Sequence, residues 1–281
     1  MPADEPLQPQ DLVLTLLGTY VRPFARTVWS GGMVSLLGEF GFSDGAARAA
    51  LTRLVRRDLI ARVRAGRLVH YELTPRCERL LIEGDGRIFA LGRLPADAGP
   101  WTVLWHQIPE DRRLERTRLG RRLRFLGFGS VQDSVWVAPH DHSSEVLELL
   151  SELGVAEFAS VFVASLRVGP GLPAMVARAW NLVGLGERYG AFCSEFEGYA
   201  APEAPSLADR DAFMVRTRLM HAFRAFAQLD PELPDELAPL SDSRARAAEI
   251  FDVLYTGLAA PSQRYFDAVA HSSPAPDGTG N

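Results

Sequence analysis

The chain is predicted to be an α+β protein in three parts: an amino-terminal winged helix-turn-helix over residues 10–93, a ferredoxin-like unit over 100–168, and a mostly helical segment over 169–270. Three patterns carry this. Up to Val55 apolar residues recur at three-four spacing, and from Leu59 to Leu73 they alternate along an arginine-bearing ribbon. From Trp101 to Leu166 strand and helix patterns follow the order β-α-β-β-α-β. From Gly169 onward the spacing is helical. The 281 residues suit two or three domains, and 47% apolar with 23% charged content marks a folded chain.

Residues 1–9 read as a disordered, Pro-containing lead. Gln10 to Tyr20 reads as a helix with Leu12, Val13, Leu16 and Leu17 inward, ended by Pro23. Ser30 to Phe40 is the next helix, with Met33, Val34, Leu36 and Leu37 apolar. Gly41 and Phe42 make a short turn. Ser43 then caps a third helix, and Asp44 suits the positive end of its dipole. Ala47, Ala50, Leu51, Leu54 and Val55 share its inner face. Arg48, Ala49, Thr52 and Arg56 take the opposite face, with Arg53 at its flank.

Small residues among arginines let a helix enter a major groove while guanidinium groups reach guanine edges or phosphates. Leu59–Arg64 and Arg67–Leu73 read as two strands around Ala65-Gly66, a wing with Arg62, Arg64 and Arg67 near its tip, where it meets backbone phosphates. The plainer alternative is a helix and hairpin with a solvated basic face, or a winged fold used for protein contacts. Charge distribution favours the DNA reading. Residues 10–93 hold 13 Arg and 8 acids, residues 101–168 hold 8 and 9, and residues 169–281 hold 9 and 15. Only the first third of a chain of net charge −5 is basic.

Pro75 opens a further helix, which Gly84 and Gly86 are expected to break, and Leu94 to Pro100 reads as a linker. In the middle unit, WTVLWHQI is a strand, Glu110–Phe125 an arginine-laden helix, and Phe128–Val131 with Ser134–Ala138 a hairpin. Ser143–Leu153 is a helix and Phe158–Leu166 a last strand. The helix arginines read first as a solvated face, with a dimer or DNA-backbone role as the alternative. His140-Asp141-His142 reads as a polar loop before a helix rather than a metal site. Cys77 and Cys193 suggest neither a disulfide framework nor a CxxC site. No apolar run approaches a membrane span and the start is no signal peptide, so a cytoplasmic location without a membrane partner is expected.

VWSGGMVSLLGEFGFSDGAARAALTRLVRRDLI and GRLVHYELTPRCERLL resemble the amino-terminal domain of the PaaX-type transcriptional regulators, the phenylacetate-degradation repressor family. The resemblance runs from about Leu12 to Phe266. It includes the AW-L-Y-F pattern after Ala179, RTRLMHAFRAFAQLDPELP through Asp230, Pro231, Leu233 and Pro234, and the last helix through Phe251, Leu254, Tyr255, Tyr265 and Phe266. It implies a Cas2-like middle domain and a homodimeric DNA-binding repressor, not an enzyme. It also implies double-stranded operator DNA as partner, no cofactor, and release by a small-molecule effector such as phenylacetyl-coenzyme A or another acyl-CoA.

A metal-dependent nuclease is the enzyme alternative. Cas2-type nucleases place an Asp at the end of the first strand, where this chain has Trp105-His106, so no metal ligand is expected. The helical segment is expected to hold the effector. His221 and Arg224 are its candidate polar contacts, a hydrogen-bond donor and a partner for phosphate or carboxylate. Trp180 and Tyr189 are its aromatic candidates, although a stripe of Val176, Trp180, Tyr189, Phe192 and Phe196 reads first as core. The family's Trp-x-Gly before the carboxyl-terminal helix is replaced here by ProLeuSerAspSerArgAla over 239–245. If that Trp lines the pocket in relatives, the effector here differs.

Overall fold

The computed structural model describes residues 7–24, 27–93, 99–165, 169–203, 206–234, 236–238 and 240–271. The linker core at 94–98, residues 1–6 of the lead, and Leu166 lie outside these. The described residues form a mixed α+β fold with two antiparallel sheets. The chain divides into two compact units, one of residues 1–89, 194–223 and 249–281, the other of 90–193 and 224–248.

In the first unit α1 (Pro9–Leu16) starts on Pro9, passes through a π-helical turn at Leu17–Val21, and ends in a 3₁₀ turn at Arg22–Phe24. β1 (Val28–Trp29) leads into α2 (Ser30–Gly38) and then α3 (Asp44–Arg56). The turn between the helices holds Gly41 at φ +83°, a left-handed conformation that a β-carbon would strain. Ser43 Oγ accepts the Ala46 amide at 3.3 Å, the capping bond that fixes where α3 begins. β2 (Ile60–Ala65) and β3 (Leu68–Leu73) then form a hairpin, and β1 adds to β3, giving the order β1-β3-β2. The hairpin turn is Gly66-Arg67, one residue later than predicted, so Arg67 sits at the tip. α4 (Pro75–Ala90) runs through Gly84 and Gly86 instead of breaking there. Two helical glycines cost about 1 kcal/mol each, and tertiary packing outweighs that: Phe89 near the helix end meets the rings of Phe251 and Tyr255 at 5.8 and 5.5 Å.

The second unit contains β4 (Trp101–His106), α5 (Arg113–Phe125) after a 3₁₀ turn, β5 (Gly129–Gln132), β6 (Val135–Ala138), α6 (Ser143–Glu152) and β7 (Ala159–Ala164). The sheet order is β5-β6-β4-β7, with all neighbours antiparallel, which is the ferredoxin-like arrangement. One sheet face carries Leu104, Trp136 and Ala138 against Leu119 and Leu123 of α5 and Val146, Leu149 and Leu150 of α6. The other packs Trp101 and Val137 against α7 (Leu172–Ala179), Trp180 and Leu233.

The helices after residue 169 do not stay together. α8 (Leu182–Ala200), α9 (Asp209–Leu229) and α10 (Ser241–Gly257) each contribute residues to both units, and α11 (Ala259–Ala270) belongs to the first. The first unit's core therefore joins Leu12, Leu16, Tyr20, Met33, Leu36, Leu51 and Leu54 to Phe213, Phe266 and Ala270, from nearly two hundred residues further on. The Tyr20 ring stacks on Phe266 at 5.0 Å. Gly32 of α2 makes room for α11: a β-carbon there would lie 2.7 Å from the Ala270 backbone. None of the described helices is long and apolar enough to cross a membrane.

Candidate functional site

α3 turns two chemically different faces outward and inward. Ala47, Ala50, Leu51 and Leu54 are buried. Arg48, Ala49, Arg53 and Arg56 are exposed, and Thr52 is half-buried between them, its hydroxyl donating back to the Arg48 carbonyl at 2.9 Å. Arg48 has one weak intrahelical partner, Asp44 at 3.8 Å, with both side chains largely in solvent. Arg62, Arg64 and Arg67 are exposed on the hairpin, the first two on alternate residues of β2 and so on one side of the ribbon. Among the described residues, Arg53, Arg56, Arg62, Arg64 and Arg67 have no carboxylate partner. The six arginines of the predicted DNA-reading set thus present guanidinium donors on the surface of one compact unit.

The support of α3 contains residues that sequence reasoning missed. Glu39, in the turn after α2, accepts the Tyr265 hydroxyl at 2.6 Å and Arg210 Nε at 2.8 Å. The Tyr265 hydrogen bond, with the Arg210 bond and charge, holds its carboxyl below the usual range against the opposing effect of burial. Arg264, beside Tyr265, donates to Asp209 at 2.6 and 2.9 Å. Arg210 of α9 and Tyr265 of α11 therefore fasten the turn after α2, and the Arg264–Asp209 pair ties α9 to α11. Nearby, Arg216 of α9 is buried. Its guanidinium lies 4.1 Å from the Tyr255 ring centre and 5.4 Å from that of Tyr20, and its Nε donates to the Tyr255 carbonyl at 2.9 Å.

The four effector candidates fall in different surroundings. Trp180 packs edge-on against Trp101 at 6.1 Å, and its Nε1 donates to the Gly127 carbonyl at 3.1 Å. Tyr189 is fully buried, stacked on Phe226 at 4.1 Å, and its hydroxyl donates to Asp230 at 2.6 Å. His221 Nδ1 meets the Thr15 hydroxyl at 3.1 Å in the first unit, and Arg224 lies in the second, half-buried. Both aromatics are spent on packing. The cavity lined by Thr19, Phe24, Arg216 and Tyr255 is lined by none of the four.

The family-like Asp230-Pro231 turn has a definite task. The Asp230 carboxylate, with no exposed side-chain surface, accepts Tyr189, Arg244 Nε at 2.6 Å and Arg244 Nη2 at 3.0 Å, and the Glu232 amide at 2.7 Å. Arg244 falls within the stretch that replaces the family's Trp-x-Gly. Burial disfavours its charge, but the bonds and attraction of Asp230 outweigh this and its pKa is raised.

In the ferredoxin-like unit α5 behaves largely as a solvated face. Arg116 pairs with Glu110 at 2.6 Å, Arg124 lies 5.1 Å over the Trp136 ring, and Arg118, Arg121 and Arg122 are exposed. Asp141 Oδ1 accepts the Ser143 amide at 2.9 Å, so the His140–His142 loop caps α6. Among the described residues no group of three His, Cys, Asp or Glu side chains is placed to hold a metal. Cys77 is buried, and burial with the neighbouring Glu78 pushes its thiol up to about 11, away from reactivity.

Family models cover most of the chain. Residues 8–77 match the model of the PaaX-like protein, residues 95–176 that of the PaaX protein central Cas2-like domain, and residues 180–268 that of the PaaX-like protein C-terminal domain. The chain is 28% identical over 240 residues to Transcriptional repressor PaaX of Escherichia coli (strain K12), a match that covers 83% of this chain and 75% of that protein. Among solved structures it resembles the uncharacterized protein Rv0674 from Mycobacterium tuberculosis, with a TM-score of 0.54 and 21% identity over 92% of this chain and 99% of that one, a likeness of fold.

Proposed function

The chain belongs to the PaaX family of transcriptional regulators, and from that premise we propose that it is a repressor whose amino-terminal helices and hairpin act as a winged helix-turn-helix on operator DNA. The observation that carries the reading is the outer surface of α3 and β2–β3, where a helix of small residues and arginines is followed directly by an arginine-tipped hairpin. None of the five arginines beyond Asp44's reach is neutralised from within the described chain. α3 lies in the major groove, Arg48, Thr52, Arg53 and Arg56 facing base edges and nearby phosphates. Arg62, Arg64 and Arg67 hold the backbone alongside.

Two copies in a homodimer would place their α3 helices about 34–36 Å apart, one helical turn of DNA, or a multiple of it. A small metabolite, an acyl-CoA thioester or another organic anion, releases the DNA by binding the DNA-incompetent conformation more tightly.

Arg48→Ala tests the helix assignment. Specific affinity is expected to fall by roughly 1–3 kcal/mol with little change in folding stability, because the Asp44 pair it loses is exposed. Fluorescence anisotropy with labelled operator and thermal unfolding of the same variant check both parts. An affinity equal to wild type would remove Arg48 from the interface.

A further inference from the structure

We propose that the first unit contains a binding site for a small organic monocarboxylate, a cavity of about 530 Å³ with Arg216 as the seat of the anion. The size falls within the range of about 300–1,000 Å³ typical of small-molecule sites. Arg216 is 6% exposed, yet no described carboxylate pairs with it. Its Nε is used by the Tyr255 carbonyl and its plane by two tyrosine rings. It also hydrogen-bonds the Tyr20 hydroxyl but has no counter-charge among the described residues, and the side chain lines the cavity. A buried guanidinium left in that state is costly, and a planar carboxylate supplies the missing charge.

Thr19 also lines the cavity, its side chain engaged by the Tyr255 hydroxyl.

The remaining walls define the rest of the ligand. Pro23, Phe24, Ala259 and Ala260 are apolar and suit a hydrocarbon or aryl body. Arg264 is already engaged by Asp209. Asp267, also on the wall, is held by Gln263 Nε2 at 3.0 Å and keeps a carboxylate near the site. That charge opposes a dianion, so a monocarboxylate fits better than a phosphate. The cavity also adjoins the support of α3: Arg264 lines it, and the next residue of α11, Tyr265, bonds Glu39. The site deepens the effector part of the proposed function and rests on that reading only for its regulatory consequence. Binding can be measured without DNA.

The test is calorimetric titration of the full chain with benzoate, and separately with inorganic phosphate. Benzoate is expected to bind saturably, one per chain, and phosphate roughly tenfold or more weaker. Arg216→Gln and Ala260→Phe, which fills the cavity from an exposed wall position, are each expected to weaken benzoate roughly tenfold or more, the scale of a charge-assisted bond or a blocked site. If Arg216→Gln does not fold, Ala260→Phe still decides. Absence of saturable benzoate binding, binding that these variants leave unchanged, or tighter binding of phosphate would each overturn the proposal. If benzoate binds through Arg216 but leaves DNA affinity unchanged, the site stands and its role in DNA release falls.

Discussion

Asp230→Ala is expected to destabilise the second unit by about 3–5 kcal/mol, the cost of stripping a buried ion pair of one partner. The loss is large because four donors converge on that carboxylate: the Tyr189 hydroxyl, two Arg244 nitrogens and the Glu232 amide. Arg244, side chain 9% exposed, would be left without a counter-charge in the interior. Tyr189→Phe makes the contrast. It removes one hydrogen bond but keeps the ring stacked on Phe226, so about 1–2 kcal/mol is expected. Burial, then the charge of Asp230, raises the Tyr189 pKa, so its contribution is complete below the ordinary phenol value of about 10 and is lost only as pH rises beyond it. Denaturant unfolding of the two variants near neutral pH measures the difference. An Asp230→Ala protein within about 1 kcal/mol of wild type would mean that the cluster is solvated or rearranged rather than buried and paired.

Removing the charges of the hairpin separates two kinds of DNA contact. Arg62→Ala, Arg64→Ala and Arg67→Ala together are expected to weaken binding to all DNA sequences alike and to flatten the plot of log affinity against log salt by about three in slope, roughly one counterion per lost phosphate contact. Arg48, Arg53 and Arg56 replaced together by alanine are expected to act differently, narrowing the gap between operator and unrelated DNA by about two orders of magnitude or more, since each base contact carries roughly 1–3 kcal/mol of discrimination. Equal effects on operator and unrelated DNA from both triple variants would mean that α3 grips phosphates and does not read bases.

Much of this architecture was legible in the amino-acid order because local signals there agree with one another. Ser43 followed by Asp44, the inward Ala47-Ala50-Leu51-Leu54 stripe and the alternation around Gly66 sit within a residue or two of the observed boundaries. The strand and helix order from Trp101 to Ala164 appears as expected. Local patterns failed where tertiary packing took over. Gly84 and Gly86 remain helical because Phe89 has aromatic partners far along the chain. The helices after Gly169 look alike by periodicity, and nothing in the periodicity says that Phe213, Phe266 and Ala270 complete the core beneath α1 and α2.

The candidate effector residues show the same limit. An aromatic stripe such as Trp180 to Phe196 serves packing or binding with the same spacing, and only burial and partners distinguish the two. Arg216 left a signal that was readable: it occupies an inward position of α9 between Phe213 and Leu219-Met220, where an arginine is out of place without a task.

The central claim is that this chain reads DNA through α3. The most direct measurement is the salt dependence of its affinity for a fragment selected from its own genome, by fluorescence anisotropy, for wild type and for the alanine variant of Arg48, Arg53 and Arg56. Wild type is expected to bind with an affinity that falls steeply with salt and with a preference for the selected fragment that the variant loses. Affinity that is indifferent to salt, or a fragment preference that survives in the variant, would contradict it.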